Sequence, residues 1–289
     1  MAFIIFGTEI AFNKQTISNL SMKKQLFILF FLITAMAFSQ SVKLEAINPQ
    51  KKLAFKGGEW LKFRMSYSNV FNAGYSTIEV KETKNKEQDA FHIIGTGKST
   101  GLFSLFFKVK DDYQTFIYKE NLKPYRFVRK IDEGGYTKDQ EITFDYNKNE
   151  ATVKNNKKNT ETKHPINDEI QDILSSLYFL RSQKLNTLKV GDEIELPMFF
   201  DQEIHNFKLL FLGEEVIKTK FGEINSLAFR PMVQAGRVFK EQESVTVWIS
   251  NDDNKIPLRI KASLAVGSLR ADLEAFKGLA HPFNIIFDN

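Results

Sequence analysis

The sequence predicts a mainly β protein, built as a curved antiparallel sheet or open half-barrel meander with one central amphipathic helix at residues 168–185. Roughly a dozen short segments, spaced about 8–14 residues apart, alternate apolar and polar side chains, which is typical of a meander of strands. The 28 Phe residues add aromatic side chains that suit half-buried sheet surfaces. The helical pattern stands between two such runs, so residues 41–289 are predicted to form a single β-rich domain.

The start of the sequence predicts export. A basic stretch that begins at Met22 precedes an apolar run at 26–38, and small side chains follow up to Ser39, so residues 22–40 are typical of a signal peptide. The run is shorter than the roughly 20 apolar residues of a membrane-spanning helix. Cleavage after Ser39 or the next residue predicts a periplasmic or secreted protein, and an uncleaved anchor is the alternative. Residues 1–21 are interpreted as an over-annotated segment before the true start.

The first β half opens on a clear strand pattern. In Glu59–Ser68 the apolar side chains Leu61, Phe63, Met65 and Tyr67 alternate with polar ones, as in a half-buried strand. Further strands are predicted at 72–81, 91–97, 113–118, 125–131, 141–146 and 151–154.

Two other stretches of this half have a distinct composition. Residues 102–110 are the most apolar part of the chain after the signal segment. Residues 154–163 are rich in Asn and Lys, which predicts a solvated loop before the helix.

The helix prediction depends on an apolar stripe with a 3.6-residue period. The stripe consists of Ile170, Ile173, Leu174, Leu177 and Tyr178. Acidic residues fill the first turn and basic residues stand near the end, which matches the helix dipole. Asp168 and Gln171 resemble a weak capping box. The stripe predicts packing against the concave side of the sheet, and the helix is the element expected to plug or gate a cavity there.

The second β half repeats the strand pattern after the helix. Strands are predicted at 193–200, 203–212, 215–220, 222–230, 241–250, 256–267 and 269–276. The pattern leaves open whether the two halves form one sheet or two.

The residue inventory excludes several kinds of site. The chain has no cysteine, which excludes disulfides, a thiolate metal site and a lipoprotein anchor. The four His residues show no metal-ligand spacing, and no GxSxG, P-loop or dinucleotide motif is present. No metal, cofactor, catalytic residue or enzymatic activity is therefore predicted. The formal charge of +5 is spread along the chain, so no nucleic-acid surface is expected.

Acidic clusters leave one chemical alternative. Asp111 and Asp112 are adjacent, and the loop 251–254 reads Asn-Asp-Asp-Asn. Such loops hold Ca²⁺ in some proteins, but Asn and Asp are ordinary turn residues, and turn chemistry is favoured here. Paired acids also serve glycoside hydrolysis, although sequence does not place two carboxylates across a cleft.

Several segments together resemble the bacterial domain-of-unknown-function family 3108, a group of exported proteins. The segments are 58–67 (GEWLKFRMSY), 73–80 (AGYSTIEV), 107–118 (FKVKDDYQTFIY), 122–136 (LKPYRFVRKIDEGGY), 172–182 (DILSSLYFLRS), 191–201 (GDEIELPMFFD) and 247–273. The resemblance lies in their order and spacing. It implies an exported β-rich domain, and it carries no catalytic residue.

The leading functional hypothesis is a non-enzymatic protein that binds a lipid or other hydrophobic ligand in a Phe-lined groove. The candidate binding residues are Phe103, Phe106, Phe107, Arg129, Leu177 and Tyr178. Arg129 is included because it shares a strand face with aromatic residues, and an inward Arg needs a carboxylate or an anionic ligand. The alternatives are an envelope assembly protein that binds another protein and an envelope-polymer hydrolase. Contact with the membrane is expected only through an uncleaved signal segment.

Overall fold

One large antiparallel sheet dominates the molecule, which confirms the predicted mainly β fold. The computed structural model describes residues 41–47, 52–68, 71–232, 245–264 and 267–286. The predicted signal segment, residues 22–40, and the upstream residues lie outside this range, so their assignment stays a prediction. Within it the strands are β1 (Ser41–Val42), β2 (Trp60–Tyr67), β3 (Phe71–Asn85), β4 (Gln88–Ser99), β5 (Val109–Tyr118), β6 (Pro124–Glu133), β7 (Tyr136–Asp145), β8 (Glu150–Asn155), β9 (Thr160–Pro165), β10 (Glu193–Phe200), β11 (Glu203–Thr219), β12 (Gly222–Pro231), β13 (Val245–Ser250), β14 (Pro257–Ser263) and β15 (Ser268–Lys277). The helices described are α1 (Phe103–Phe106) and α2 (Ile173–Arg181).

Both halves of the chain belong to the same sheet. Its strand order is β1-β10-β11-β12-β13-β14-β15-β2-β3-β4-β5-β6-β7-β8-β9, in which β15 pairs with β2. Among the described strands, every pairing is antiparallel except that of β1 with β10. The sheet is open, because β1 and β9 stand at its two ends and do not pair with each other in the described part of the chain.

The predicted helix 168–185 is too long at its N-terminal end. The helix begins after Asp172, and Gln171 pairs with β10 as an extended residue. The Gln171 N–H donates to Pro197 O at 3.0 Å, and the Phe199 N–H donates to Gln171 O at 2.8 Å. Pairing with β10 thus replaces the first predicted helical turn. The predicted capping box from Asp168 is wrong for the same reason.

The helix also ends four residues early, at Arg181. The N–H groups of Ser182 and Gln183 bond to the carbonyls three residues back, at 3.1 and 3.0 Å. Such bonds tighten and terminate a last helical turn. The observed helix is therefore nine residues long, and the stripe it presents is correspondingly short.

Two connections differ from the prediction. Strand β9 begins inside the solvated loop that was predicted at 154–163. The turn before this strand is short, and the Asn155 side chain closes it by accepting the N–H groups of Lys157 and Lys158. Almost every β9 residue is exposed, so no apolar alternation marked the strand. The segments predicted at 203–212 and 215–220 are one strand, β11, with a bulge at Gly213, where φ is 127°.

The core surrounds α2. One cluster of buried side chains joins β2–β4 and β14–β15 to Tyr178, a second joins β5–β8 to Ile173 and Leu174, and a third lies between β10–β13 and Leu185. Phe side chains such as Phe63 are buried in these clusters. The aromatic content of the sequence thus serves mainly as core. In the described residues, neither helix has the length and apolar character to cross a membrane.

Candidate functional site

The N-terminus of α2 is fixed by a buried carboxylate. Asp172 Oδ1 accepts the N–H groups of Leu174 and Ser175, each at 2.9 Å, and the Ser175 hydroxyl accepts the Asp172 N–H at 2.8 Å. This reciprocal pair is a capping box. The Thr115 hydroxyl of β5 donates to Asp172 Oδ2 at 2.5 Å. Burial raises the pKa of Asp172 to about 6, against the opposing effect of these hydrogen bonds.

The C-terminus of α2 is fixed by a buried ion pair. The Arg181 guanidinium donates to both carboxylate oxygens of Glu59, at 2.7 and 2.8 Å, and its Nε donates to Asn254 O at 3.1 Å. The Tyr178 hydroxyl donates to the same carboxylate at 3.2 Å. Burial, followed by the nearby Glu59 charge, raises the pKa of Tyr178 well above its ordinary value. The contact between the Arg181 guanidinium and the Glu59 carboxylate is bidentate, and it is directional because both groups are planar.

These two anchors make α2 a fixed wall inside the sheet. Glu59 directly precedes β2, and Thr115 belongs to β5, so both anchors bind the first half of the chain, and the Asn254 carbonyl adds a contact with the second half. Apolar side chains of α2, together with Arg181, border a cleft. The helix that was predicted to plug a cavity is thus packed into the core.

An apolar cleft lies between α2 and strands β10–β13, and we call it the helix cleft. Its volume is about 120 Å³, and its wall is almost entirely carbon. Several of the side chains that line it are only half-buried, so the cleft opens to solvent. These half-buried side chains are Leu177, Leu180, Phe207, Leu209 and Val247.

A second, smaller cavity lies on the other side of Leu174. Its volume is about 40 Å³, and it is lined by apolar side chains together with Asp111 and Tyr113 of β5. Asp111 is 4% exposed. The pKa of Asp111 is raised to about 8, first by burial and then by the carboxylate of Glu133. Glu133 lies two residues after Ile131, the residue of β6 that pairs with Asp111. A cavity of this size accommodates about one water molecule and not an organic ligand.

This raised pKa predicts a stability that falls as the pH rises. The folded state favours protonated Asp111, so the contribution of this residue is complete below about pH 4 and is lost as the pH rises through about 8. Within that window the free energy of unfolding should fall by up to about 1.4 kcal/mol per pH unit. In Asp111→Asn, urea unfolding at pH 5 and pH 8 should show a smaller fall than in the wild type. Asp112→Asn, on the other face of β5, is the matched control and should keep the fall. An unchanged fall in Asp111→Asn would contradict the assignment.

The six predicted binding residues lie in separate places. Phe103 packs against Tyr67 with ring centroids 6.4 Å apart and lines the small cavity, whereas Phe106 and Phe107 are 88% and 39% exposed. Leu177 lines the helix cleft. These residues therefore do not form the single Phe-lined groove that the sequence predicted.

The other two predicted residues are engaged in the interior. Arg129 is 1% exposed, and its Nη1 contacts Asp201 Oδ1 at 2.9 Å, which supplies the carboxylate that an inward Arg requires. Tyr178 is fully buried and packs edge-on against Phe55 at 4.5 Å. Neither side chain is among those that line the helix cleft.

The residues that do line the cleft come mostly from the second half of the chain. Among the lining residues that the structure describes, only Phe207 and Phe229 are aromatic, so this surface is mainly aliphatic. The apolar run 209–212 was a recognisable signal, because it gives the strand apolar side chains on both faces. The alternation that predicted the strand did not show which face lay against the helix.

Comparison with known proteins gives a family and low-identity structural likenesses. The model of a family described as "Protein of unknown function (DUF3108)" matches residues 62–274. Among curated proteins, none matches. The structure of a β-barrel-like protein of the domain of unknown function DUF1849 from Brucella abortus is 10% identical and has a TM-score of 0.49, with 77% of this chain and 98% of that one covered. A candidate lipoprotein from Parabacteroides distasonis is 11% identical and has a TM-score of 0.35, with 79% and 100% covered.

Proposed function

We propose that this chain, which belongs to the DUF3108 family of proteins of unknown function, binds the end of an alkyl or acyl chain in the helix cleft. The observation that carries the proposal is a solvent-accessible cleft whose lining is almost free of polar atoms. Apolar clefts of this kind are the usual seats of hydrophobic ligands. The signal-like residues 22–40 support placing this binding outside the cytoplasm.

The size of the cleft limits what it accepts. At about 120 Å³ it is close to a cavity of about 150 Å³ that takes up benzene, and it is smaller than the roughly 300–1,000 Å³ of sites for drug-sized ligands. In this conformation it holds the tip of a hydrocarbon chain and not a whole lipid. A longer insertion requires one wall to move.

The binding free energy of so short an insertion also indicates that tight binding requires one wall to move. Each buried methylene contributes about 0.8 kcal/mol, so about four of them give about 3 kcal/mol, whereas a micromolar Kd corresponds to about 8 kcal/mol. Because buried hydrogen bonds hold both ends of α2, we infer that tighter binding moves strands of the opposite wall. The almost wholly apolar lining supports a role in binding.

Filling the cleft should abolish ligand retention. Leu209 is half-buried on β11 and lines the cleft, so a larger side chain at this position would occupy the space of the ligand. We expect Leu209→Trp to lower the fraction of protein that co-purifies with a fatty acid or phospholipid at least tenfold, as measured by native mass spectrometry after isolation from the envelope fraction.

The matched control is Val216→Trp, which adds the same ring on the same strand at a side chain that is 51% exposed and outside the cleft. It should retain the ligand at the wild-type level. Wild-type protein that carries no lipid in the isolated state and binds no added fatty acid would refute the proposed function. Equal retention by Leu209→Trp and the wild type would place the ligand elsewhere.

A further inference from the structure

A cluster of exposed apolar side chains stands at one end of the sheet, and we call it the apolar tip. It is built by the β4–β5 connection, which contains α1, together with the adjoining ends of β3 and β7. Its members are Phe71 (63% exposed), Leu102 (76%), Leu105 (78%), Phe106 (88%), Phe107 (39%) and Tyr136 (48%).

The register shows that these side chains share one end of the sheet. Tyr67 at the end of β2 pairs with Phe71, Lys98 near the end of β4 pairs with Lys110, and Glu133 at the end of β6 pairs with Tyr136. The β2–β3, β4–β5 and β6–β7 connections are therefore neighbours. The Phe107 ring lies over Gly134 in the β6–β7 turn, where an added Cβ would come within 2.5 Å of it.

The tip is a shaped projection. Phe103 fixes it from below by packing on Tyr67, and the Thr100 N–H donates to Ala73 O at 3.1 Å. The Phe107 N–H closes the helical turn on Phe103 O at 2.9 Å. The side chains between these contacts, above all Leu105 and Phe106, consequently point outward. Large exposed apolar patches mark interaction surfaces.

Basic side chains lie beside the tip, on the β4–β5 side. Lys98, Lys108 and Lys110 are all exposed, and none of them forms an ion pair within the described ranges. Asp132, opposite Lys110 in the register, and Glu133, opposite Val109, are carboxylates at this level of the sheet, so the three lysines outnumber them. The surface behind the apolar projection is therefore net positive, and it complements a negatively charged layer.

We propose that the apolar tip inserts into the surface of an anionic lipid bilayer, with the three lysines against the headgroups. A convex projection suits a fluid surface that deforms around it, and exposed Leu and Phe next to Lys are a composition typical of interfacial anchors. Tyr136 brings the amphipathic ring that is enriched at the membrane–water boundary. This inference differs from the expectation that only an uncleaved signal segment contacts the membrane, and it does not depend on the helix cleft.

The chain contains no cysteine, so one introduced thiol reports on a single site. Leu105→Cys in the full-length chain, labelled with an environment-sensitive fluorophore, should show a blue shift with vesicles that contain phosphatidylglycerol. Val216→Cys, at an exposed position of β11 outside the apolar tip, is the matched control, and any attachment through the N-terminal segment affects both proteins equally. An unchanged spectrum at 105, an equal shift at 216, or an equal response to pure phosphatidylcholine would each overturn the proposal.

A second set of variants tests the two parts of the surface. Changing Lys98, Lys108 and Lys110 together to Gln should weaken binding to the anionic vesicles about 100-fold, because each lysine contributes about fivefold near such a surface. Phe106→Asp should weaken vesicle binding at least tenfold, since the substitution removes an aromatic side chain that the proposal places in the bilayer. If a purified envelope protein changes the spectrum at position 105 and vesicles do not, the surface binds protein and the lipid proposal is wrong.

Discussion

Arg181→Met should destabilise the protein by about 3–5 kcal/mol, because it leaves the buried carboxylate of Glu59 without its counter-charge. Both side chains are almost completely inaccessible, at 1% and 0% exposure. The Tyr178 hydroxyl, which also bonds to this carboxylate, does not neutralise it. Urea unfolding at neutral pH measures the effect, with an unchanged m-value to show that the folded state is retained.

Two further variants separate a lost charge partner from lost packing. The double variant Glu59→Leu/Arg181→Met removes both charges and should recover most of the stability, since an apolar pair of similar volume often replaces a buried ion pair at little cost. Arg126→Met breaks the bidentate contact with Glu141, whose side chains are 42% and 29% exposed, and should cost about 1 kcal/mol or less. A double variant as unstable as Arg181→Met would show that shape, and not charge, dominates.

The strands were predictable because their side chains alternate. Strand β10 has the bounds predicted from the sequence, and β2 differs from its prediction by one residue at each end. Strand β9 was missed since it has no buried face, and alternation is visible only where one face is covered. Which strands meet across the sheet was not predictable, as in the pairing of Leu273 with Phe63 from opposite ends of the chain.

The candidate site was less predictable than the fold. The apolar stretch at 102–110 was correctly recognised as unusual, but composition does not distinguish an exposed projection from a groove lining, and Phe106 is exposed. The helix cleft requires side chains from α2 and β10–β13 to converge, and only Leu177 was selected in advance. The partner of Arg181 lies 122 residues away, a separation at which sequence alone specifies no contact.

The N-terminal end of the predicted helix offers a direct test of local against tertiary signals. Sequence pattern favoured Asp168 as the cap, whereas the structure places that role at Asp172. Asp168 instead bonds to Lys123 at 2.5 Å with its own side chain 69% exposed. We therefore expect Asp168→Ala to change the free energy of unfolding by less than about 1 kcal/mol.

Asp172→Ala should cost about 2–4 kcal/mol. Loss of an N-cap costs about 1 kcal/mol, and the buried Thr115 hydroxyl is left without its acceptor at a further cost of about 1–3 kcal/mol. Asp172→Asn keeps an acceptor oxygen for the helix N–H groups and should recover part of the loss. Thr115→Val removes the other partner, and in combination with Asp172→Ala should cost less than the sum of the two single changes. Additive costs in urea unfolding would mean that Thr115 and Asp172 are not coupled, and α2 would then lack the tie to β5 that makes it a fixed wall of the cleft.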